Sequence, residues 1–599
     1  MPDVLTKIME LLDARERRNF WLLMAGVLVM GLANMAGVGS IIPFLAVLAD
    51  PDVVERNAAL SRLYALSGAA TPERFLIWLG LAAVAAYMAA LALKALVTYA
   101  NMRFALRRQH TLAMRLLERY LRQPYPWFLG RHSAELAKNV LNETAVAVSG
   151  TLMPLLNLIT NGVIVLCLLA LLIAVEPLIA LALALLLGTS YAAIYLSVRQ
   201  LQARLGHARF EAMAERFRIV QEGLGGLKEV KVLGLERDLI ARASEPSRRM
   251  ADISARSALV TDLPRHALEG VAFGGMMCVV LALAVLRGGD LSAILTVAGV
   301  YALAGSRMAP AAQQIYQNLS ALKFGRAGLE AVHRDYTEAP AAPLPAPAAP
   351  LRLREGLALE GVRYAYPASE RGALDGLDLR AAARGSIGLV GGTGAGKTTA
   401  VDVLMGLLAP QAGRLVVDGR PIETEEERRA WRRSVGYVPQ QIFLADASVT
   451  RNIAFGVKDD EVDLAAVERA ARMAQLHDFV MEELPDGYAT HVGDRGVRLS
   501  GGQRQRIGIA RALYHDPDVL VLDEATSALD NVTERAVMEA VRALGGRKTV
   551  IMIAHRLTTV MNCDEIFLLE RGRVAASGAY DQLLERSPAF RAMAQGAAA

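Results

Sequence analysis

A glycine-rich segment in the second half of the chain has the residue types and spacing of a phosphate-binding loop. It reads GGTGAGKTT and matches G-x-x-x-x-G-K-[ST]. Glycines let backbone N–H groups surround phosphate oxygens, and the N-terminus of a following helix favours their negative charge. Lys397 is expected to reach the β- and γ-phosphates of a nucleotide, and the Thr398 hydroxyl to coordinate Mg²⁺. The residues predicted to bind the nucleotide are Gly391, Gly392, Thr393, Gly394, Ala395, Gly396, Lys397, Thr398 and Thr399.

Two carboxylates further along the chain complete the set of groups that nucleotide hydrolysis needs. The segment VLVLDE, from Val519 to Glu524, is an apolar run that ends in two acids. Asp523 is predicted to bind Mg²⁺, and Glu524 is placed to polarise the attacking water. Phosphoryl transfer depends mainly on positioning and charge neutralisation, which these groups supply.

The elements that must position these groups are strands and helices of an α/β domain. The apolar run SIGLV precedes the loop and TTAVDVLMGLL follows it, so the loop is predicted to join a strand to a helix. Beyond the Pro/Ala-rich segment APAAPLPAPAAPL, strand-like runs alternate with helical ones. We predict an α/β P-loop NTPase domain over residues 353–599, after a linker over residues 336–352.

The first half of the chain, residues 1–335, is predicted to be a helical membrane domain with six spans. Each apolar stretch reaches the ~20 residues that a spanning helix needs. Basic residues concentrate in the N-terminus and in the second and fourth connections, so both termini and the α/β domain are predicted to be cytosolic. The stretches lie at residues 20–48, 75–100, 147–174, 177–198, 266–286 and 293–315.

The composition excludes several classes of protein. A net charge of +5 over 599 residues, without a basic patch that contains aromatics, argues against nucleic acid as a partner. The three cysteines form no paired framework, which fits a reducing cytosol around the α/β domain. The N-terminus has no short apolar core before a small-residue cleavage site, so it does not read as a cleaved signal.

The segment LSGGQRQR, Leu499 to Arg506, lies between the phosphate loop and the two carboxylates. Together with the phosphate loop, the two carboxylates and the six predicted spans, this segment makes nearly the whole chain resemble ATP-binding cassette transporters of the exporter type. The resemblance implies ATP and Mg²⁺ as ligands and hydrolysis coupled to transport. It also implies further site residues: Tyr366 stacking on adenine, Gln440 sensing Mg²⁺ and water, Ser500, Gly501, Gly502 and Gln503 contacting the ATP of a partner subunit, Asp530 at the dimer interface and His555 on the γ-phosphate.

Structural roles are the alternatives for two of these residues, since Tyr366 could be an ordinary strand tyrosine and His555 a structural histidine. The resemblance further implies a homodimer that closes around two ATP molecules. Segments 124–136 and 220–231 are expected to carry the motion to the membrane. Asp494 departs from the family, in which a glutamate is frequent.

Three basic residues lie within or near the predicted spans. Lys94 and Arg265 could extend to the inner surface, and Arg265 could pair with Glu269, four residues on. Arg307 lies in the middle of the sixth stretch, where a charge is costly and usually faces a protein interior or a cavity. It could form an internal ion pair, or the three could serve an anionic substrate, because guanidinium donors suit phosphate oxygens.

The membrane half resembles the bacterial flippase that moves polyprenyl-diphosphate-linked oligosaccharides for protein N-glycosylation. The motifs behind this are LPRHALEG, GSRMAP, the basic residue of the second span and an amphipathic segment at residues 53–64. That segment could lie on the membrane surface or pack on the spans. The resemblance implies lipid-linked glycan transport across a bacterial inner membrane. The alternatives are export of other lipids, peptides or drugs, and an ATPase that regulates a partner membrane protein.

Overall fold

The structure, a computed structural model, describes the chain except for residues 1, 70, 263–264, 267–268, 271–272, 276, 279–280, 282–290, 340–348, 368–370, 494–495, 525–530, 555 and 597–599. The chain divides into two compact units. One comprises Met1–Gln123 with Arg131–Ala342, and the other comprises Pro124–Gly130 with Pro343–Ala599.

All regular secondary structure among the described residues of the first unit is helical. Two π-helical turns, Asn139–Glu143 and Val148–Leu152, flank the short helix Thr144–Ala147. In chain order, with the short helix α7 belonging to the second unit, the helices are α1 (Pro2–Leu11), α2 (Ala14–Gly39), α3 (Ile41–Ala49), α4 (Val53–Arg56), α5 (Ala58–Ser67), α6 (Pro72–Leu121), α7 (Tyr125–Leu129), α8 (Ser133–Lys138), α9 (Thr144–Ala147), α10 (Met153–Val175), α11 (Pro177–Gly225), α12 (Leu227–Leu233), α13 (Glu236–Asp262) and α14 (Leu291–Glu338).

Within the described residues, four helical segments are long and apolar enough to cross a membrane: Ala14–Ala49, Pro72–Leu121, Ser133–Val175 and Pro177–Gly225. They contain the first four predicted stretches. The fifth falls largely outside the described residues, and the sixth lies within α14. At 1.5 Å per residue, α6 is about 75 Å long, against about 30 Å of bilayer hydrocarbon. The second and fourth connections, at the ends of α6 and α11, therefore begin as helical continuations of the spans.

Close backbone contacts join α14 to α11 and to the π-helical turn Val148–Leu152. A Cβ atom on Gly206 would lie 2.2 Å from the carbonyl oxygen of Phe324, and one on Gly325 would lie 2.5 Å from that of Gly150. Glycine is therefore required at both crossings.

A buried ion cluster joins α2 to α6. Glu16, whose side chain is 7% exposed, pairs with Arg108 and with Arg115, whose Nη2 lies 2.8 Å from Glu16 Oε1. A buried carboxylate persists when partners of opposite charge surround it.

The predicted amphipathic segment forms α4 and α5 and packs on the spans. Leu60 is buried, and the Tyr64 and Phe75 rings meet edge-to-face with centroids 5.1 Å apart. Leu63 and Leu66 on the same helix remain exposed, which leaves an apolar edge for lipid.

The second unit is an α/β domain built on two sheets. One is antiparallel with strand order β2-β1-β4-β5, and the other has the order β10-β9-β3-β8-β7-β6. Strands β9, β3, β8, β7 and β6 run parallel. The strands are β1 (Gly356–Tyr364), β2 (Leu374–Ala382), β3 (Ser386–Val390), β4 (Ala412–Val417), β5 (Arg420–Pro421), β6 (Val435–Val438), β7 (Val519–Asp523), β8 (Thr549–Ile553), β9 (Glu565–Glu570) and β10 (Arg573–Gly578).

Helices cover the larger sheet and complete two buried apolar clusters, one on each face. Because parallel strands end at one edge, the residues after β3, β6, β7 and β8 meet there. The helices are α15 (Lys397–Leu404), α16 (Glu425–Arg432), α17 (Val449–Ile453), α18 (Leu464–Met473), α19 (His477–Glu482), α20 (Gly501–Leu513), α21 (Asn531–Ala543), α22 (Leu557–Val560), α23 (Tyr580–Arg586) and α24 (Pro588–Gly596).

Candidate functional site

The phosphate loop joins β3 to α15, as the sequence predicts. Gly391, Gly394 and Gly396 have positive φ angles of 148°, 78° and 99°. A Cβ atom on Gly391 would lie 2.3 Å from the Leu569 carbonyl oxygen, and one on Gly396 would lie 2.6 Å from that of Ala373. The backbone curvature that presents N–H groups to a phosphate therefore requires glycine at these positions.

Lys397 is the first residue of α15 and its side chain folds back over the loop. Its Nζ atom donates to the carbonyl oxygens of Gly391, at 2.8 Å, and Gly392, at 3.1 Å. Burial lowers the pKa of Lys397, although the charges of Glu524 and Asp523 act in the opposite direction. Its partners are neutral carbonyls, so a phosphate can replace them without breaking an ion pair.

The two hydroxyls after Lys397 point to different surroundings. Thr398 is exposed at the helix start, whereas Thr399 is buried. Thr399 Oγ1 and the Tyr366 hydroxyl lie 3.1 Å apart, and the Tyr364 and Tyr366 rings meet edge-to-face at 5.2 Å. These contacts fix Tyr366 beside the phosphate loop.

The end of β7 brings the predicted acids to the same edge of the sheet. Gln440 Nε2 donates to Glu524 Oε2 at 2.6 Å, and the Glu524 N–H donates to the Ile553 carbonyl oxygen at 3.1 Å. Glu524 has a φ of 48°, which is uncommon for a residue other than glycine. Strained backbone of this kind is frequent where a side chain must be aimed at a site.

Two further residues at this edge belong to none of the predicted motifs. The Tyr437 hydroxyl, at the end of β6, donates to Asp523 Oδ2 at 3.2 Å. Burial raises the pKa of Tyr437, and the Asp523 charge adds to the effect. Asp402 lies in α15, 8% exposed, and burial with the Asp523 charge raises its pKa to about 6. An acid within the otherwise apolar run TAVDVLMG is the sequence signal that could have indicated Asp402.

The LSGGQ segment forms the N-terminus of α20. Ser500 and Gln503 cap each other: the Gln503 N–H donates to Ser500 Oγ at 3.2 Å, and the Ser500 N–H donates to Gln503 Oε1 at 2.8 Å. Ser500 is exposed, Gly501 is half-buried and Gly502 is buried. The described side-chain bonds of Ser500 and Gln503 are to each other rather than to the phosphate loop, so the segment presents an open helix N-terminus.

Three predicted positions, Asp494, Asp530 and His555, lie outside the described residues. Among the described residues, no group of three or more His, Cys, Asp or Glu side chains is placed to hold a metal ion. Mg²⁺ at nucleotide sites takes one or two protein oxygens together with phosphates and water. The exposed Thr398 hydroxyl and the Asp523 carboxylate are hard oxygen donors that fit this requirement.

The three basic residues predicted to serve an anionic substrate have different neighbours in the structure. The Arg307 guanidinium lies over the Tyr87 ring of α6, 4.6 Å from its centroid, and forms no ion pair with any described residue. Lys94 is half-buried and lies seven residues after Tyr87, on the same face of α6. Arg265 Nε instead pairs with Glu269 Oε1 at 2.8 Å.

Comparisons with known proteins cover both halves of the chain. Residues 374–527 match the family described as "ABC transporter", and residues 21–300 match "ABC transporter transmembrane region". A protein named ATP-dependent lipid A-core flippase from Ralstonia nicotianae is 44% identical over 39% of this chain and 40% of the relative. Another of that name, from Chromohalobacter salexigens, is 33% identical over 65% of this chain and 67% of the relative.

The chain thus spans about two fifths of the first relative and two thirds of the second. A solved structure titled "Structure of a bacterial Atm1-family ABC exporter with ATP bound" aligns with a TM-score of 0.75 and 25% identity, over 98% of this chain and 100% of the other. The predicted fold class, a helical membrane domain followed by an α/β nucleotide-binding domain, is confirmed. The chain belongs to the ABC transporter family and has the domain order of its membrane-spanning exporters.

Proposed function

We propose that the protein is an ATP-driven flippase that moves an anionic lipid-linked glycan from the cytosolic to the outer leaflet of a bacterial inner membrane. The observation that carries the ATP-driven part is the convergence of the phosphate loop, Asp523, Glu524 and Gln440 at one sheet edge. Each has the chemistry that phosphoryl transfer needs.

The roles of these groups in hydrolysis follow from their positions. Loop N–H groups bind the phosphates, and Lys397 exchanges its two carbonyl partners for phosphate oxygens. Thr398 and Asp523 would hold Mg²⁺, which neutralises phosphate charge. Glu524 accepts a proton from the attacking water, and Gln440, bonded to it, orients both the carboxylate and that water. Tyr366 stacks on the adenine.

A second copy of the chain completes each site. The open α20 N-terminus offers N–H groups and a hydroxyl to an anion, and the side-chain bonds of Ser500 and Gln503 are to each other rather than to the phosphate loop of the same copy. Apolar side chains also remain exposed on α12, namely Leu227, Val232 and Leu233, and on the nucleotide domain at Phe443 and Phe455. Exposed patches of this kind mark surfaces that a partner covers. In a homodimer, the second copy contributes its α20 N-terminus to the site and covers the exposed apolar side chains.

The surroundings of Arg307 support the proposal that the substrate is anionic. It is a membrane arginine whose described partner is an aromatic ring rather than a carboxylate, so its charge remains available. Lys94, on the Tyr87 face of α6, adds a second positive charge on that side. The relatives are named for lipid A-core, and the membrane motifs resemble oligosaccharide flippases; a lipid-linked glycan is the substrate class common to both.

The test is ATP-driven movement across the bilayer of proteoliposomes, with a polyprenyl-diphosphate saccharide in one arm and a lipid A-core glycolipid in the other. We expect wild-type protein to move at least one, and Glu524→Gln and Arg307→Ala to move neither. Arg307→Lys keeps the charge and should retain part of the rate. Tyr87→Leu removes only the ring and is the matched control.

Two other functions make different predictions for the same samples. Movement of neither glycolipid, with hydrolysis stimulated by peptides or amphipathic drugs, would replace this proposal with a different exporter. Hydrolysis that responds only to a partner membrane protein, with no transported molecule, would indicate a regulatory ATPase.

A further inference from the structure

A groove of about 450 Å³ between α2 and α6 is used neither by the nucleotide chemistry nor by Arg307. We call it the α2–α6 groove. Leu22 and Leu96 in its walls are exposed although both are large and apolar. An open apolar groove on a membrane span is a surface that lipid or another protein fills. Its apolar lining includes Leu22, Gly26, Leu93, Leu96, Val97 and Ala100.

The groove follows one face of each helix. The lining residues of α2, from Asn19 to Gly26, are spaced by three or four positions, which places them on one face. A Cβ atom on Gly26 would have no neighbouring atom of the described chain within 4 Å, so this glycine widens the groove. The lining residues of α6 have the same spacing: Leu93, Leu96, Ala100, Arg103 and Arg107.

The apolar part of the groove has the length of one leaflet. From Leu93 to Arg103 the axis of α6 rises about 15 Å, which is half of the roughly 30 Å of bilayer hydrocarbon. Phe20 of α2 and Phe104 of α6 belong to one buried cluster, so Trp21 lies near the level of Arg103. Trp21 is exposed, and tryptophan is enriched at membrane interfaces. The arginine end of the groove therefore lies at the cytosolic head groups.

Two arginines at this end have no carboxylate partner among the described residues. The Arg103 guanidinium lies 6.0 Å from the centroid of the Tyr99 ring. Arg107 is exposed and lines both the groove and an adjoining depression of about 680 Å³. Arg108, by contrast, pairs with Glu16. The groove thus combines a half-bilayer of apolar wall with two positive charges at its cytosolic end.

This combination matches an anionic phospholipid better than the other candidates. Basic pockets between membrane helices on the cytosolic side bind anionic head groups, and guanidinium donors suit phosphate oxygens. The same face of a second copy would bring arginine against arginine, which is unfavourable. The proposed transport path uses Lys94, which follows Leu93 directly, so the two side chains point about 100° apart around α6.

We propose that the α2–α6 groove binds one phospholipid of the cytosolic leaflet that carries an anionic head group. An acyl chain lies along the apolar wall, and oxygens of the head group bind Arg103 and Arg107. This lipid stays with the protein and is not the transported molecule. The inference does not depend on the proposed function, because the groove uses neither the nucleotide site nor Arg307.

The test uses full-length protein in vesicles of phosphatidylethanolamine and phosphatidylcholine. The probes are trace phosphatidylglycerol and trace phosphatidylethanolamine, each with a diazirine at the end of one chain. We expect the phosphatidylglycerol probe to label peptides that contain residues 22–26 or 93–100 more strongly than the phosphatidylethanolamine probe does. Equal labelling by the two probes would contradict the assignment of an anionic lipid.

Replacing both Arg103 and Arg107 by Gln should remove this preference. A basic residue near the membrane surface contributes about fivefold to the binding of an anionic lipid, so the double variant should lose about 25-fold. Arg199→Gln is the matched control, since Arg199 is exposed just after the fourth apolar stretch and does not line the groove. An equal loss in Arg199→Gln would show a general attraction to the surface and would refute a site at the two arginines.

Gly26→Trp should fill the groove and lower the labelling by phosphatidylglycerol about tenfold. Gly162→Trp is its control, because Gly162 also has open space around its Cβ but does not line the groove. Undiminished labelling in Gly26→Trp would place the lipid elsewhere and end the proposal.

Two further outcomes would assign the groove to another occupant. Displacement of the probe by a polyprenyl diphosphate more readily than by unlabelled phosphatidylglycerol would make it a site for the transported lipid. Absence of labelling, with a smaller dimer fraction of Gly26→Trp in size-exclusion chromatography, would make it a contact with the second copy. The proposed function fails separately, since labelling without ATP-driven movement leaves the groove assignment intact and movement without labelling removes only that assignment.

Discussion

The side-chain amide of Gln440 donates a hydrogen bond to the carboxylate of Glu524 at 2.6 Å, although the two residues are 84 positions apart in the chain. Strand β6 ends just before the glutamine and β7 just before the glutamate, and the two strands pair in parallel. The bond therefore follows from the sheet, and it links the base proposed for hydrolysis to a residue outside its own motif.

Replacing Glu524 by Gln should lower the rate of ATP hydrolysis by at least about 10²-fold, because a positioned general base contributes 10²- to 10⁴-fold. ATP binding should remain, since the phosphate loop is unchanged. Steady-state phosphate release and equilibrium binding of a fluorescent ATP analogue measure the two effects. Glu585→Gln, at an exposed position of α23, is the control. A Glu524→Gln protein with full turnover would show that another group activates the water.

Replacing Tyr437 by Phe should raise the Mg²⁺ concentration for half-maximal hydrolysis by about tenfold or more. The phenol hydrogen bond to Asp523 orients that carboxylate, and bonds to charged groups contribute about 1.5–3 kcal/mol. The measurement is a Mg²⁺ titration at saturating ATP. Tyr488→Phe, which loses a hydroxyl bonded to His477 instead, should leave the titration unchanged. An unchanged titration in Tyr437→Phe would show that Asp523 is held without the tyrosine.

Because of Asp402, the free energy of unfolding should fall as the pH rises from about 4 to about 6. Burial and the Asp523 charge raise its pKa to about 6 from the ordinary aspartate value of 3.8, so the folded protein binds more protons than the unfolded chain in this window. The loss of stability is complete above about pH 6. Asp402→Asn should remove this slope and raise stability at pH 7.5 by up to about 3 kcal/mol. Thermal unfolding of the detergent-solubilised protein across pH measures it, with the exposed Asp460→Asn as control. A slope that persists in Asp402→Asn would contradict the assignment.

Replacing Glu16 by Gln should destabilise the membrane unit by about 3 kcal/mol, because it leaves the half-buried Arg108 and Arg115 beside a neutral side chain, although Arg115 keeps its pairing with Asp13. The readout is the Tm of the protein in detergent. The control is Glu55→Gln on α4, where the carboxylate is exposed. An equal Tm in both variants would mean that water solvates the arginines in place of the carboxylate.

Motif spacing was enough to predict the phosphate loop, since a strand, a glycine-rich turn and a helix N-terminus are properties of one continuous segment. Contacts between distant segments were not predictable in this way. Tyr437 meets Asp523 only because β6 and β7 pair, and Arg307 meets Tyr87 only because α14 and α6 approach each other. The sequence allowed the amphipathic segment to lie on the membrane surface or to pack on the spans. The burial of Leu60 shows that it packs on the spans.

The roles of the individual site residues remain predictions, because their chemistry depends on a nucleotide and a second copy of the chain. The structure brings Gln440 and Glu524 together and places Lys397 on the loop carbonyls. Arg265 is paired with Glu269, whereas Arg307 lies over the Tyr87 ring, so the two arginines have different neighbours.

Because α6 is one uninterrupted helix, its cytosolic end and its membrane-spanning part can move as one rigid body. About 20 residues of this helix extend beyond the apolar stretch that ends near residue 100, which is about 30 Å of stiff rod. A tilt of about 10° at the membrane surface moves the far end by about 5 Å, the rise of one helical turn. The segment Ser133–Val175, by contrast, is interrupted by two π-helical turns, and helices bend at such turns. One arm thus transmits displacement while the other absorbs it.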